Sequence, residues 1–364
     1  MATIKDVARM AGVSVSTASV ALSGRGPVSD QTRRRVREAA ESLRYRPNAV
    51  ARSLVTRRTR SIGLVVADLT DPYFHVVAKG IEGAVSEAGY TVVLADTDRS
   101  HAKEERSIET LLRYQVDGLI LAGSGDAGEA RLTHLKEGTI PVVTVGSYAI
   151  GLPNVTADNR GAGALVAAHL LEQGYRRIGY VGGPRGLRVS QERWAGFSEV
   201  LRGAGLSPAF DAEGDFTPAG GHRAALEVLA GGEAPEAIVA ANDQMAIGVI
   251  NAVKELGLRV PADVAVAGIG DIPTAVYVDP PLTTVALPLK AMGARSAQVL
   301  LRLIDGESIP AEPIVLEVTL KVRESTARRQ GRIVDTLVSR PAGRGASGDS
   351  RRARGGRASD LRQE

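Results

Sequence analysis

The chain has 364 residues, enough for a small domain plus a large one, and 44% of them are hydrophobic, so a sizeable core can be buried. There is no cysteine, which excludes disulfides, thiolate metal sites and thiol nucleophiles. Net charge is only +4, but residues 1–60 hold 13 basic and 4 acidic groups, residues 327–364 hold 10 arginines and 4 acids, and the span between them has a net charge of −11.

A small basic segment on a large acidic body is the charge pattern of a nucleic-acid reader joined to something that does not bind nucleic acid. The first residues lack the basic-then-apolar pattern of a signal peptide. No apolar run approaches the ~18 residues of a membrane helix. A cytoplasmic protein with no membrane partner is expected.

In chain order, Thr3 is placed to cap a first helix, with Ile4, Val7, Ala8 and Ala11 at helical spacing. Gly12 and Val13 break it, and Ser14 can cap a second helix. There Ala18 and Leu22 face inward with Val15 nearby, while Ser16 and Val20 lie on the opposite side. A short helix, a tight turn and a second helix with an exposed stripe describe a helix-turn-helix. Ser29 can cap a third helix, with Val36, Ala39, Ala40 and Leu43 buried, and Pro47 ends it.

The stretch T-I-K-D-V-A-x-x-A-G-V-S-x-S-T from Thr3 to Thr17 resembles the LacI/GalR family of bacterial transcription regulators. So do Val28-Ser29 with Thr32-Arg33, Tyr45-x-Pro47-Asn48 and Ala51-Arg52-Ser53-Leu54. The resemblance runs to about Arg328, roughly nine-tenths of the chain. It implies a repressor that binds a palindromic operator as a homodimer, with a tetramer left open, under control of a sugar or sugar derivative.

On this reading Val15, Ser16 and Val20 meet base edges in the major groove. Valine contacts thymine methyls and serine pairs with several bases. Ser14, Thr17, Ser29 and Thr32 contact phosphates, which position the domain without reading sequence. Residues 47–60 correspond to a hinge helix and linker. Asn48, Ala51 and Arg52 belong to the minor-groove segment, and Leu54 matches the leucine that wedges between base pairs. The plain alternatives are that the valines are core and Leu54 is a linker residue.

From Ser61 the texture changes to apolar runs at 62–67, 91–95, 118–122, 142–145, 177–181, 237–240 and 264–269, alternating with amphipathic stretches. That alternation predicts doubly wound parallel sheets. The expected fold is therefore α plus α/β. A three-helix headpiece at 1–46 precedes a sensor at 61–328, similar to periplasmic binding proteins. Its two subdomains are expected at about 61–156 with 287–313 and about 157–286 with 314–328. Residues 329–364 form a disordered basic tail, either solvated or lending nonspecific DNA affinity.

Ligands of such folds bind beyond the carboxyl ends of the strands. Asp71, Tyr73 and Phe74 follow the first strand and Ser124 the third. Asp158 and Asn159 precede the first helix of the second half. Arg193 opens R-x-x-G-F, Phe216 follows Asp215, and Asn242 and Asp243 follow 237–240. Aromatic faces cover a sugar ring, while carboxylates, amides and a guanidinium bind its hydroxyls. Arg193 and Asp243 are expected to clamp the ligand from opposite sides. Asp158 and Asn242 read equally well as helix caps, Phe74 and Phe197 as core, and Trp194 as packing. Two places where the family often has an acid hold Gly146 and Gly270, with Asp271 one residue further on. Their loss favours an anionic or bulkier sugar derivative over a neutral hexose.

No G-x-S-x-G elbow, Walker loop or H-E-x-x-H is present, so no enzyme and no cofactor is expected. Gly161 and Gly163 imitate part of a dinucleotide loop but lack its third glycine in register. An exported solute-binding module is the remaining rival.

Overall fold

The computed structural model describes residues 2–23, 26–45, 58–126, 129–231 and 234–327. The expected hinge residues Asn48, Ala51, Arg52 and Leu54 lie outside the described residues, as does the expected tail.

Three helices form the N-terminal body: α1 (Ile4–Ala11), α2 (Val15–Ser23) and α3 (Asp30–Ser42). The Asp6 carboxylate accepts from the Thr3 backbone N–H at 3.0 Å and from its hydroxyl at 2.7 Å, which fixes the first turn. Val7, Ala8, Ala11, Ala18, Ala21, Val36, Ala39 and Ala40 make the core. Alanine at most contacts lets three short helices approach closely.

The next body is a six-stranded sheet in the order β11-β5-β4-β3-β1-β2, all parallel. Its strands are β1 (Ser61–Val66), β2 (Thr91–Asp96), β3 (Gly118–Ser124), β4 (Val142–Ser147), β5 (Asn154–Ala157) and β11 (Ile314–Leu316). A second sheet repeats the plan as β12-β10-β9-β8-β6-β7. It contains β6 (Ile178–Gly182), β7 (Asp211–Glu213), β8 (Ala237–Ala240), β9 (Ala265–Gly270), β10 (Thr283–Ala286) and an antiparallel β12 (Thr319–Lys321). Central strands such as β4, β6, β8 and β9 are buried along their whole length, as helices on both faces require.

The seven apolar runs fall on β1–β4, β6, β8 and β9 within two residues. The other five strands have three or four residues each, too short to show a period. The chain passes between the sheets after β5, after β10 and after β11. The last crossing was expected at about 314, but Ile314, Val315 and Leu316 pair with Val155, Thr156 and Ala157 of the first sheet. The segment from 314 to 316 therefore belongs to the first subdomain, because the open edge of β5 captures it before the chain crosses.

The helices are α4 (Pro72–Glu87), α5 (His101–Arg113), α6 (Asn159–Glu172), α7 (Arg188–Gly203), α8 (Pro218–Ala230), α9 (Asp243–Glu255) and α10 (Leu289–Ile304). They pack as pairs α4/α10, α6/α7 and α8/α9 through facing glycines. A Cβ on Gly163 would lie 2.0 Å from the Arg193 carbonyl oxygen, and one on Gly196 would lie 1.9 Å from that of Arg160. Gly196 of R-x-x-G-F and Gly163 of the imitation dinucleotide loop are thus the two halves of one helix crossing. Gly196→Ala should destabilise the sensor by about 1–3 kcal/mol through overpacking. Urea unfolding monitored at Trp194 measures this, and an unchanged midpoint would refute the close-packed crossing.

Candidate functional site

Two surfaces collect the expected residues. On α2, Ala18 and Ala21 are fully buried, while Val15 is 43% exposed and Ser16 is exposed. Val20 is half-buried, so the outward face is Val15 and Ser16 with Val20 at its edge. Ser14 Oγ accepts the Thr17 N–H at 3.0 Å and lies 2.8 Å from the hydroxyls of both Ser16 and Thr17. Ser29 Oγ accepts the Thr32 N–H at 3.3 Å, and their hydroxyls are 2.9 Å apart. Both serines cap a helix, so each helix N-terminus, favourable to anions, is ringed by hydroxyls.

The second surface is a cavity of about 170 Å³ between the two sheets, at the carboxyl ends of their strands. An apolar cavity of about 150 Å³ holds benzene, so a single-ring ligand fits. Asp71, Tyr73, Phe74, Ser124, Arg193, Phe216, Asn242 and Asp243 all line it. Asp158 and Asp271 do not line it. Asp158 accepts the Gly161 N–H at 2.7 Å as the cap of α6, and Asp271 pairs with Arg323 at 2.6 Å.

Several wall residues are also caps. Asp71 Oδ1 accepts the Tyr73 N–H at 2.9 Å, and Asn242 Oδ1 accepts that of Met245 at 2.9 Å. The second oxygen of Asp71 takes Arg99 at 3.3 Å. Burial raises the Asp71 pKa despite the Tyr73 N–H and Arg99, and it pushes the Tyr73 phenol up to about 12. Phe216 has φ 67, an unusual backbone state for a bulky residue. Its ring covers Gly183, where a Cβ would meet it at 2.2 Å, and the Arg99 guanidinium lies 5.9 Å from the ring centre.

Arg193 is buried, and burial lowers its pKa. Its Nε donates to Asn159 Oδ1 at 3.0 Å and its Nη1 to the Ala241 carbonyl at 2.6 Å. Asp243 is also buried, with one oxygen accepting the Thr284 hydroxyl at 2.5 Å and the other the Ile272 N–H at 2.9 Å. The expected clamp from opposite sides is corrected. Arg193 on α7 and Asp243 on α9 belong to the same subdomain, and both Asp243 oxygens are engaged within it.

The two subdomains are tied by hydrogen bonds at the mouth of α7. The Arg188 N–H donates to Gly125 O at 3.0 Å and the Val189 N–H to Ser124 Oγ at 3.2 Å. The Arg188 side chain meets Glu129 at 2.6 Å, and Ser147 Oγ donates to Glu192 at 2.7 Å. Asn159 Nδ2 donates to Ser147 Oγ at 3.0 Å, which joins Arg193 to the strap.

Sequence reading missed Arg99, Tyr148, Leu187, Val189 and Gln244, all on the cavity wall, where Asn159 also stands. Arg99 and Tyr148 follow β2 and β4, so the strand-end rule would have found them. Leu187 and Val189 carry no such signal. Gly146 is backbone-determined, since it has φ 111 and a Cβ there would lie 1.9 Å from Gly123 O. No acidic side chain fits at that position without moving β3.

Residues 3–48 match the model for bacterial regulatory proteins of the lacI family, and residues 167–326 match a periplasmic binding protein-like domain. The transcriptional repressor CytR of Escherichia coli (strain K12) is 33% identical over 329 residues, covering 89% of this chain and 96% of CytR. Among solved structures, the lac repressor dimer bound to operator and an anti-inducer aligns with TM-score 0.83 and 29% identity, covering 90% of this chain and 99% of that one. A complex of the regulator CelR with cellobiose aligns with TM-score 0.68 and 34% identity, over 89% of this chain and 100% of that one.

Burial, opposed by the Thr284 hydroxyl and the Ile272 N–H, pushes the Asp243 carboxyl up to about 6. The folded state thus holds this proton more tightly than the unfolded chain, whose value is about 3.9. Its stabilising contribution is complete below the unfolded value and is lost as pH rises through about 6. A carboxyl NMR titration should show Asp243 with a midpoint near that value. A midpoint in the ordinary carboxylate range would remove the buried setting.

Proposed function

The chain belongs to the LacI family of bacterial regulatory proteins, and from that premise we propose how it reads DNA and how it is switched. It is a DNA-binding transcription regulator, active as a dimer and controlled by a small ligand. Val15, Ser16 and Val20 read bases, and Ser14, Thr17, Ser29 and Thr32 hold phosphates. Asn48, Ala51, Arg52 and Leu54 enter the minor groove. The protein acts as a repressor in the cytoplasm and catalyses no reaction. Among the described residues no helix is long and apolar enough to cross a membrane.

The effector, a sugar or sugar derivative, occupies the cavity between the subdomains. The observation that carries this reading is a ring-sized cavity whose walls come from two bodies joined by a polar strap. A ligand there touches both, so it can bind the open and closed arrangements with different affinity, which a switch requires. Arg193, Tyr73, Phe74 and Phe216 are the residues we place against the ligand, with Asp71, Ser124, Asn242 and Asp243 shaping the walls. Asp158 and Asp271 act one step away, as a helix cap and a turn lock.

The edge strand β2 leaves Val93 and Leu94 exposed beside Tyr114, and the second subdomain exposes Val276 and Tyr277. An unpaired apolar edge is a hazard unless covered, and the second copy is its occupant. Leu94→Arg with Tyr114→Glu should shift sedimentation from dimer to monomer and weaken binding to an inverted-repeat duplex at least tenfold. A variant that stays dimeric would move the interface elsewhere.

Ser16→Ala and Val20→Ala should change which half-site bases are selected, each at about 1–3 kcal/mol per contact, and leave the salt slope alone. Identical selected sites would mean that α2 does not read bases. Operator titration with and without a bound effector tests the switch. Coupling of about 1–3 kcal/mol is expected, or roughly 5–150-fold in DNA affinity. A bound effector that leaves operator affinity unchanged would refute the sensor role.

A further inference from the structure

The root of the linker to the headpiece sits in a polar socket on the first subdomain. Asp117, just before β3, accepts the Thr59 N–H at 2.8 Å with one oxygen and the Arg60 N–H at 3.1 Å with the other. The Thr59 hydroxyl lies 2.9 Å from both Asp117 Oδ1 and the Gln115 carbonyl oxygen. Arg58 Nη2 donates to Ile304 O at 2.9 Å, and its Nη1 meets Asp305 at 3.1 Å. The Arg60 guanidinium lies 5.0 Å from the Tyr90 ring centre, and its Nη1 donates to Ala88 O at 3.4 Å. Arginine suits the carbonyl end of a helix, where it caps open acceptors and meets the negative end of the helix dipole. Arg60 also has φ 59, a backbone state that persists only where its surroundings enforce it.

Each wall of the socket is the far end of an element whose near end faces the cleft. β3 follows Asp117 and ends at Ser124, where the strap starts. α10 starts with Leu289 and Met292 on the cavity wall and ends at Ile304. α4 starts with Tyr73 and Phe74 on the same wall and ends just before Ala88. Each helix has 16 residues and so spans about 24 Å. Neither can slide past the other without a backbone collision. A Cβ on Gly80 would lie 2.1 Å from Lys290 O, and one on Gly293 would lie 2.1 Å from Val77 O. The start of β3 fits α10 as closely, since a Cβ on Gly118 would lie 2.9 Å from Leu300 Cδ1. Close-packed interiors transmit displacement rather than absorb it, so these three elements carry a movement from the cleft to the linker.

Anchoring alone does not require the socket, because β1 already pairs with β2 along its whole length. Strand pairing leaves the residues before β1 free to swing. The socket adds direction, since it fixes the path on which Arg58, Thr59 and Arg60 enter the sheet.

We propose that Asp117 is a positioning residue for the switch. It holds Thr59 and Arg60 so that a movement at the cleft reaches the linker as a change of direction, and a bound operator is felt at the cleft. This rests on the chain being a ligand-switched DNA-binding dimer, and it names where the two halves are joined. Such coupling is reciprocal, so DNA alone can probe it.

The test uses the intact protein and the inverted-repeat duplex that the wild type selects in vitro. The readout is hydrogen exchange at the Arg188 and Val189 amides, which donate across the cleft and so report its opening. In the wild type, saturating duplex should change both rates threefold or more, and a scrambled duplex of equal length should not. Asp117→Ala should keep its DNA-free rates within twofold of the wild type and lose the response. Asp117→Asn, which keeps one acceptor for Thr59, should retain part of it. Thermal unfolding checks each variant, and Arg58→Ala, which should weaken the response in the same way, carries the test where Asp117→Ala does not fold. A full response in the folded variants overturns the socket while leaving the switch intact. A lost response accompanied by faster DNA-free exchange makes Asp117 a structural prop and also overturns it. No response in the wild type refutes the switch itself, and this inference with it.

Discussion

The first turn of α7 finds its hydrogen-bond acceptors in the other subdomain. A helix N-terminus carries backbone N–H groups with no partner inside the helix. Here Gly125 O and Ser124 Oγ, at the end of β3, accept from Arg188 and Val189. The same helix supplies Glu192 to Ser147 and Arg193 to the cavity. Moving the subdomains apart therefore breaks backbone capping, an ion pair and the wall of the binding site together. Ligand occupancy and domain closure are linked by this one helix.

The same economy appears at other strand ends. Asp71 and Asn242 each cap the helix that follows a strand and stand on the cavity wall. A polar residue at such a position has two physical reasons to exist, and sequence carries no mark that separates them. That is why Asp158 read equally well as ligand contact and as cap. Its local pattern matches that of Asn242, and only the placement of α6 relative to the cavity distinguishes the two. Phe216 is different. Its left-handed backbone is a local strain of about 1–3 kcal/mol that the Asp215–Thr217 hydrogen bonds hold in place.

Legibility followed the same lines. The helix-turn-helix was readable because capping hydroxyls, a turn and a buried stripe recur at fixed spacing over forty residues. The long buried strands were readable because both faces are apolar. Strands β10, β11 and β12 were not, since three or four residues show no period and their partners are distant in sequence. The expected residues that line the cavity came from strand ends and the R-x-x-G-F motif. Leu187 and Val189 stand one turn ahead of that motif and look like any apolar helix start. The opposed clamp failed because both residues fall within 157–286, the stretch assigned to the second subdomain, so both reach the cavity from the same body.

The two sheets share one strand order, yet each lines the cavity between them with different side chains. The first subdomain contributes Tyr73, Phe74 and Tyr148 with the paired charges Asp71, Arg99, Glu104, Glu129 and Arg131, while the second contributes Phe216 and the buried Arg193 and Asp243. A ligand that touches both walls is fully desolvated only when the strap forms. The strap is five direct polar contacts, each worth a net ~0.5–1.5 kcal/mol for neutral bonds and somewhat more where charge assists. Since opening returns these groups to water, the gap between closed and open forms is of order a few kcal/mol. That is the range in which one bound ring can reverse a population, because moving an equilibrium from mostly open to mostly closed takes about 5.5 kcal/mol of differential affinity. A larger apolar interface at this position would lock the subdomains together, and a weaker one would leave the headpieces blind to the ligand.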